Sequence, residues 1–260
     1  MVAIFILAML SGGIGSVVLF GLTSFLALRE FVTMTPTKRG DHGTLLWLFF
    51  VITAIQYALV AVNWYGLFSI FIPVYAFLFV PLRSVLSGDC ERFLERTATI
   101  QWALMVCVYC VSHAPAHMTL RIPGFEGQNG KLLFYFVLVV QASDVLQYIW
   151  GKMFGKHKIA PTVSPNKTWE GFVGGVVTAT LLGAALWRVT PFTPWQAAGM
   201  SLVITFMGFV GGLVMSAIKR DRGVKDYGTL IQGHGGVMDR IDSLCFSAPV
   251  FFHLTRYFFT

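Results

Sequence analysis

The residues able to do chemistry concentrate in one stretch of this chain, Ser216 to Asp242 (SAIKRDRGVKDYGTLIQGHGGVMDRID). Lys219, Arg220, Arg222, Lys225 and Arg240 stand there among Asp221, Asp226, Asp239 and Asp242. A glycine turn, Gly233-His234-Gly235-Gly236, separates the two charged clusters. Asp226 and Asp239 are the best candidates for metal ligands. Magnesium prefers a few hard carboxylate oxygens and completes its shell with water and substrate phosphates. Lys225 adjoins one carboxylate and Arg240 the other, a pairing that could equally be structural. Lys219, Arg220 and Arg222 outnumber Asp221 and Asp242. Surplus positive charge beside carboxylates suits a polyanionic ligand held partly through a divalent ion. Glycines at 233, 235 and 236 let backbone N–H groups approach such a ligand. His234 could donate to a phosphate oxygen, orient a carboxylate, or simply be a loop residue.

Two further segments carry ionisable groups that need a reason. Asp144 lies in an apolar run, where a carboxylate costs a few kcal/mol. Gln141, Gln147 and Tyr148 fall three or four residues away, on the same helical face. This face predicts one wall of a polar cavity, with an interhelical hydrogen bond or ion pair as the alternative. The basic segment 151–170 holds Lys152, Lys156, His157, Lys158 and Lys167. Within it, Ser164-Pro165 reads as an N-cap followed by proline at the first helical position. The free N–H groups of that helix start, with Lys167 beside them, would cradle a phosphate.

The elements that must position these groups are membrane spans. Of 260 residues 56% are hydrophobic and 12% charged, with mean hydropathy +0.71 and net charge +7. A soluble domain carries roughly 25% charged residues. A spanning helix needs about 20 mostly apolar residues. Eight segments qualify: 2–28, 44–62, 64–82, 98–114, 132–150, 171–188, 196–217 and 243–259. The expectation is an all-α integral membrane protein of about eight transmembrane helices, with a polar cleft facing the cytoplasm. It reads as one polytopic domain over 1–260, with generic spans to about residue 130 and a catalytic half after it. No cleavable signal is expected at the N-terminus. Loops 29–43, 83–97, 151–170 and 218–242 hold fifteen of the nineteen Lys and Arg. That asymmetry predicts that these loops are cytoplasmic and both termini lie outside.

Other patterns receive structural readings. Loop 83–97 balances Arg83, Asp89, Glu91, Arg92, Glu95 and Arg96 and reads as a solvated helix. Cys107, Cys110, His113 and His117 mimic zinc-ligand spacing. An apolar span around the cysteines and Pro115 before His117 favour buried thiols and interfacial histidines. Gly171 with Gly175, and Gly208 with Gly212, have the spacing of close helix packing.

There is no Walker-type loop, Rossmann fingerprint or serine nucleophile elbow. The remaining toolkit is carboxylates, cations and flexible backbone, which suits phosphoryl or nucleotidyl transfer. The pattern Ser216-x-x-Lys219-Arg220-x4-Lys225-Asp226-x-Gly228…His234-Gly235-Gly236-x-x-Asp239-Arg240-x-Asp242 resembles the signature of the CDP-diacylglycerol synthase (phosphatidate cytidylyltransferase) family. SPNKTWEG at 164–171 and DVLQYIWGKMFG from Asp144 to Gly155 resemble two more of its segments. Gln147 and Gln232 depart from the family pattern, as in a divergent member.

The resemblance implies CMP transfer from CTP to phosphatidate, yielding CDP-diacylglycerol and pyrophosphate. It implies Mg²⁺ on Asp226, Asp239 and Asp144, with a monovalent ion such as K⁺ as a possible second metal. Lys167, Lys219, Arg220, Lys225 and Arg240 would neutralise phosphates, and His234 would shape the turn around the leaving group. Ser164, Ser216, Gly233, Gly235, Gly236 and Asp242 would line the substrates. A homodimer in a bacterial inner membrane, with no nucleic-acid partner, completes the expectation. The alternatives are a CTP-dependent enzyme acting on another lipid phosphate or a polyprenol, and a transporter of an anionic metabolite.

Overall fold

In the computed structural model, residues 12–228 and 235–260 are described. Gly233 and His234, and the departure at Gln232, lie outside them. Eight helical stretches are present among the described residues: α1 (Gly12–Thr33), α2 (Arg39–Ala61), α3 (Tyr65–Val85), α4 (Phe93–Thr119), α5 (Asn129–Phe154), α6 (Trp169–Ala185), α7 (Pro194–Asp221) and α8 (Met238–Phe259). They fall where the eight apolar segments were expected, residues 2–11 of the first segment lying outside the described residues. Six of them (α1 to α5 and α7) are long and apolar enough to cross a membrane. Helix α6 is shorter, and α8 begins with the charged run Asp239-Arg240-x-Asp242. This is an all-α integral membrane protein.

The described chain divides into two compact units. One comprises residues up to Thr119 together with Asp226–Asp239, the other Leu120–Lys225 with Arg240–Thr260. In the first, α1 packs on α2 and α4, burying Phe20, Leu28, Phe31, Leu48 and Val108. Helices α2, α3 and α4 each contain one π-helical turn, at Trp47–Ile52, Phe71–Ala76 and Met105–Cys110. In the second unit α6 packs against α5 and α7. Gly171 and Gly175 of α6 abut the Gln147 backbone of α5, and a Cβ on either would clash with it. Such small residues let helix backbones meet closely in lipid. Gln147 is thus packed between helices, its amide donating to the Ser143 hydroxyl at 2.7 Å.

Three local expectations are corrected. First, Ser164 does not cap a helix. Residues Ser164–Thr168 form strand β2, antiparallel to β1 (Lys158–Ala160) in a two-stranded ribbon. Proline is tolerated in such an edge strand, where no N–H need be donated. The helix starts one hairpin strand later, and buried Thr168 caps it by accepting the Gly171 N–H at 3.1 Å. Second, residues 83–97 are not a solvated helix. Helix α4 starts only at Phe93, after Arg92 in a left-handed conformation (φ 49°). Arg96 is 7% exposed. Its guanidinium donates to Asp41 Oδ1 from Nε at 3.2 Å and Nη2 at 3.0 Å, and its Nη1 lies 3.0 Å from Asp89 Oδ2. Third, His113 and His117 are enclosed by protein rather than exposed at a helix end. Both are fully buried, and each Nδ1–H donates to a main-chain carbonyl, of Tyr109 at 2.8 Å and of Ala114 at 3.1 Å. Pro115 sits inside the helix without ending it. Cys107 and Cys245 are core residues, whereas Cys90 is exposed.

Candidate functional site

The first unit gathers Asp226, Gly235, Gly236 and Asp239. Gly235 has φ +79°, a left-handed conformation that glycine adopts without strain. A Cβ there would come within 2.8 Å of Asp239 Oδ2 and 3.5 Å of Asp226 Cβ, so both carboxylate residues flank this one glycine. Asp239 Oδ2 accepts the Tyr227 N–H at 2.8 Å and the Gly236 N–H at 3.0 Å. Charge-assisted bonds from two amides fix one carboxylate oxygen. Asp226 is exposed.

One member of this cluster was not anticipated. Glu30, near the end of α1, accepts the Val237 N–H through Oε1 and the Met238 N–H through Oε2, each at 2.9 Å. These are orphan donors at the start of α8, where an anion is favoured by the helix dipole. The available signal was an acid next to an apolar run. Ending the span at residue 28 hid it, since the helix continues to Thr33.

The second unit gathers Asp144, Lys167, Asp242 and Ser243. Ser243 is buried, and its hydroxyl lies 3.0 Å from Asp144 Oδ1 and 3.4 Å from Asp242 Oδ1. Asp242 Oδ1 also accepts the Ser243 N–H at 2.7 Å. Two carboxylates from α5 and α8 therefore bracket one hydroxyl. Strand β2 delivers Lys167, whose Nζ lies over the Phe209 ring at 4.6 Å and reaches the Phe209 carbonyl at 3.4 Å. The absence of a side chain at Gly212 makes room for it. A Cβ at 212 would come within 2.9 Å of Lys167 Nζ and 3.9 Å of Asp242 Oδ2. Burial pulls the Lys167 pKa below the ordinary lysine range. Asp242 and Asp144 oppose that shift and Lys219 adds to it.

The other expected residues are placed differently. The Ser216 hydroxyl donates to the Gly212 carbonyl of its own helix at 2.6 Å. Exposed Arg220 donates to the carbonyls of Val163 at 3.3 Å and Val224 at 3.1 Å, tying the β1–β2 hairpin to the end of α7. Ser164 lies in β2. Lys225 and Arg240 are exposed, and the Arg240 carbonyl accepts from Gln141 at 3.5 Å. The expected metal set of Asp226, Asp239 and Asp144 is divided between the two units. Among the described residues no three His, Cys, Asp or Glu side chains form a metal-binding group. The Asp226–Asp239 pair alone still offers the hard-oxygen donors that magnesium takes when phosphates and water supply the rest.

Fold and site together define a polytopic membrane protein with carboxylate and lysine groups clustered on its helices and the segments joining them. Comparison with known sequences gives the class a family. The profile described as the Cytidylyltransferase family matches residues 1–258, and the chain belongs to that family. It is similar to an uncharacterized Escherichia coli (strain K12) protein, YnbB, with 43% identity over 240 residues, 92% of this chain and 78% of the relative. It is also similar to the phosphatidate cytidylyltransferase of Staphylococcus aureus (strain COL), 30% identical over 256 residues, 95% of this chain and 92% of that one. The phosphatidate cytidylyltransferase of Mycobacterium leprae (strain TN) is 47% identical over 121 residues, 45% of this chain and 38% of that one. The protein is a membrane nucleotidyltransferase.

Proposed function

We propose that the chain is a phosphatidate cytidylyltransferase, which transfers CMP from CTP to phosphatidate and releases pyrophosphate. The observation that carries the reading is full-length similarity to a relative bearing that name, combined with Lys167 and Asp242 converging on Gly212 beside the Ser243 hydroxyl that Asp144 and Asp242 share.

The lipid phosphate attacks the α-phosphorus of CTP. That phosphate is already anionic at neutral pH, so the protein need supply no strong general base. It must position two polyanions and offset their charge. Lys167 and Lys219 would neutralise phosphate charge in the second unit. Lys225, Arg220 and Arg240 would add exposed positive charge that draws in CTP. Asp226 and Asp239 would hold Mg²⁺, with Asp144 and a monovalent ion such as K⁺ as further elements. When bound, Mg²⁺ would neutralise the triphosphate and stabilise the departing pyrophosphate. Asp239 keeps one oxygen anchored on two amides, which sets the direction of its carboxylate. Cytoplasmic sidedness, read from the basic loops, matches the location of CTP.

In the test, purified protein is assayed for pyrophosphate release from CTP. Release is expected only with phosphatidate and Mg²⁺ together, and Asp226→Asn and Asp239→Asn should each abolish it. Full turnover by either variant would overturn the metal assignment. Similarity to a relative of undefined activity makes a second acceptor worth including. Release with a polyprenyl phosphate but not with phosphatidate would replace the acceptor and leave the transferase reading standing.

A further inference from the structure

We propose that Glu30 is a positioning residue for nucleotidyl transfer, holding the two backbone stretches, 226–228 and 235–239, that carry Asp226 and Asp239. The proposal rests on the reading of those two aspartates given above. Three consecutive amides follow Gly235. The first, of Gly236, donates to Asp239. The next two, of Val237 and Met238, donate to the two oxygens of Glu30. One carboxylate from α1 therefore sets the backbone that immediately precedes Asp239.

The stretch 226–228 is held by the same helix turn. Phe31, next to Glu30, stacks on Tyr227 with ring centroids 6.1 Å apart. Tyr227 is 3% exposed, and its N–H donates to Asp239. Asp226 directly precedes it. The Glu30-Phe31 pair thus grips both backbone stretches that present the two aspartates. The fit leaves no slack. A Cβ on Gly228 would lie 2.9 Å from Glu30 Oε1, and one on Gly236 would clash with Glu30 Oε2. Glycine at both positions is what lets the carboxylate enter. Helix α4 adds a softer contact, Cys107 Sγ to Met238 Sδ at 3.9 Å.

Glu30 touches no substrate in this scheme and acts only through Asp226 and Asp239. Gln at this position keeps one acceptor oxygen and turns an NH₂ toward a backbone N–H, so it satisfies one amide. Ala satisfies neither.

The experiment uses the full chain in detergent or nanodiscs, with Glu30→Ala and the milder Glu30→Gln. Hydrogen exchange is read first, because it is independent of activity. Exchange at Val237 and Met238 should accelerate at least tenfold in Glu30→Ala and less in Glu30→Gln, with α4 and α5 unchanged. The Mg²⁺ concentration for half-maximal pyrophosphate release should rise at least tenfold in Glu30→Ala. Most of kcat should return at saturating Mg²⁺. A residue needed only for folding would lower kcat and leave that concentration unmoved. Unchanged exchange in both variants overturns the clasp. Altered exchange with an unmoved Mg²⁺ requirement overturns the positioning role. If the wild-type protein releases no pyrophosphate from any acceptor, the functional reading fails while the exchange comparison still decides the clasp.

Discussion

Two clusters in this molecule are each built around two aspartates and a central cation, and they are finished differently. In the first unit Arg96 engages Asp41 and Asp89 and also donates to the Glu91 carbonyl at 2.6 Å. Asp41 is 1% exposed and its second oxygen accepts the Lys38 N–H at 2.9 Å. In the second unit Lys167 reaches one carbonyl at the long limit of a hydrogen bond and leans on a phenyl ring, while Asp242 and Asp144 act on it through space. A forked guanidinium closes its geometry on its partners. A compact ammonium carries three donors that it can redirect. The closed cluster fastens the first turn of α2 to the start of α4. In the role proposed for Lys167, the open one offers those donors to a ligand's phosphate.

This contrast can be broken at several points. The largest effect belongs to the closed cluster. Arg96→Ala strands a buried carboxylate, and removing one partner of such a pair costs about 3–5 kcal/mol. Denaturation in detergent should show that loss, while any variant that still folds should match the wild type in its response to CTP and added Mg²⁺. Lys167→Ala should show the opposite profile. Turnover should fall about 10²–10³-fold, as when one preorganised donor is lost, with little change in the melting temperature. Equal stability losses in the two variants would erase the distinction.

The smallest and sharpest effect is on pH dependence. The folded Lys167 pKa lies below its unfolded value, so the unfolded chain binds more protons between the two, and stability rises with pH across that window. In the role proposed for Lys167, catalysis uses the charged form and runs the other way. The alkaline limb of kcat/KM should fall below the ordinary lysine range of roughly 10.4. Lys167→Arg, whose guanidinium does not titrate there, should move that limb upward. A limb that stays in place would remove Lys167 from the rate equation.

The sequence was most legible where the signal is local. Apolar run length located the eight helical stretches of the described residues, six of them long and apolar enough to span, and Asp144, Lys167 and Asp242 stood out as ions in or beside such runs. They do cluster around Ser243. Partnerships across long sequence separations were not readable. Arg96 with Asp41 spans 55 residues and Glu30 with Val237 spans 207. Balanced charges at helical spacing look solvated until a distant carboxylate arrives to bury one of them. The Ser164 error has another origin. Ser-Pro is a fair helix-start signal, but pairing with Lys158–Ala160 competes for the same residues, and Thr168 was available to cap instead.

Gly212 carries a consequence for how this chain tolerates change. In the interior of a helix, alanine is favoured over glycine by about 1 kcal/mol, so α7 taken alone would welcome the exchange. The methyl group would arrive where the Lys167 ammonium rests, at the far end of a flexible side chain that can swing away. The helix would keep its shape, and the displaced charge would carry the whole cost. A survey scoring only expression and folding would class position 212 as permissive, and one scoring turnover would class it as closed.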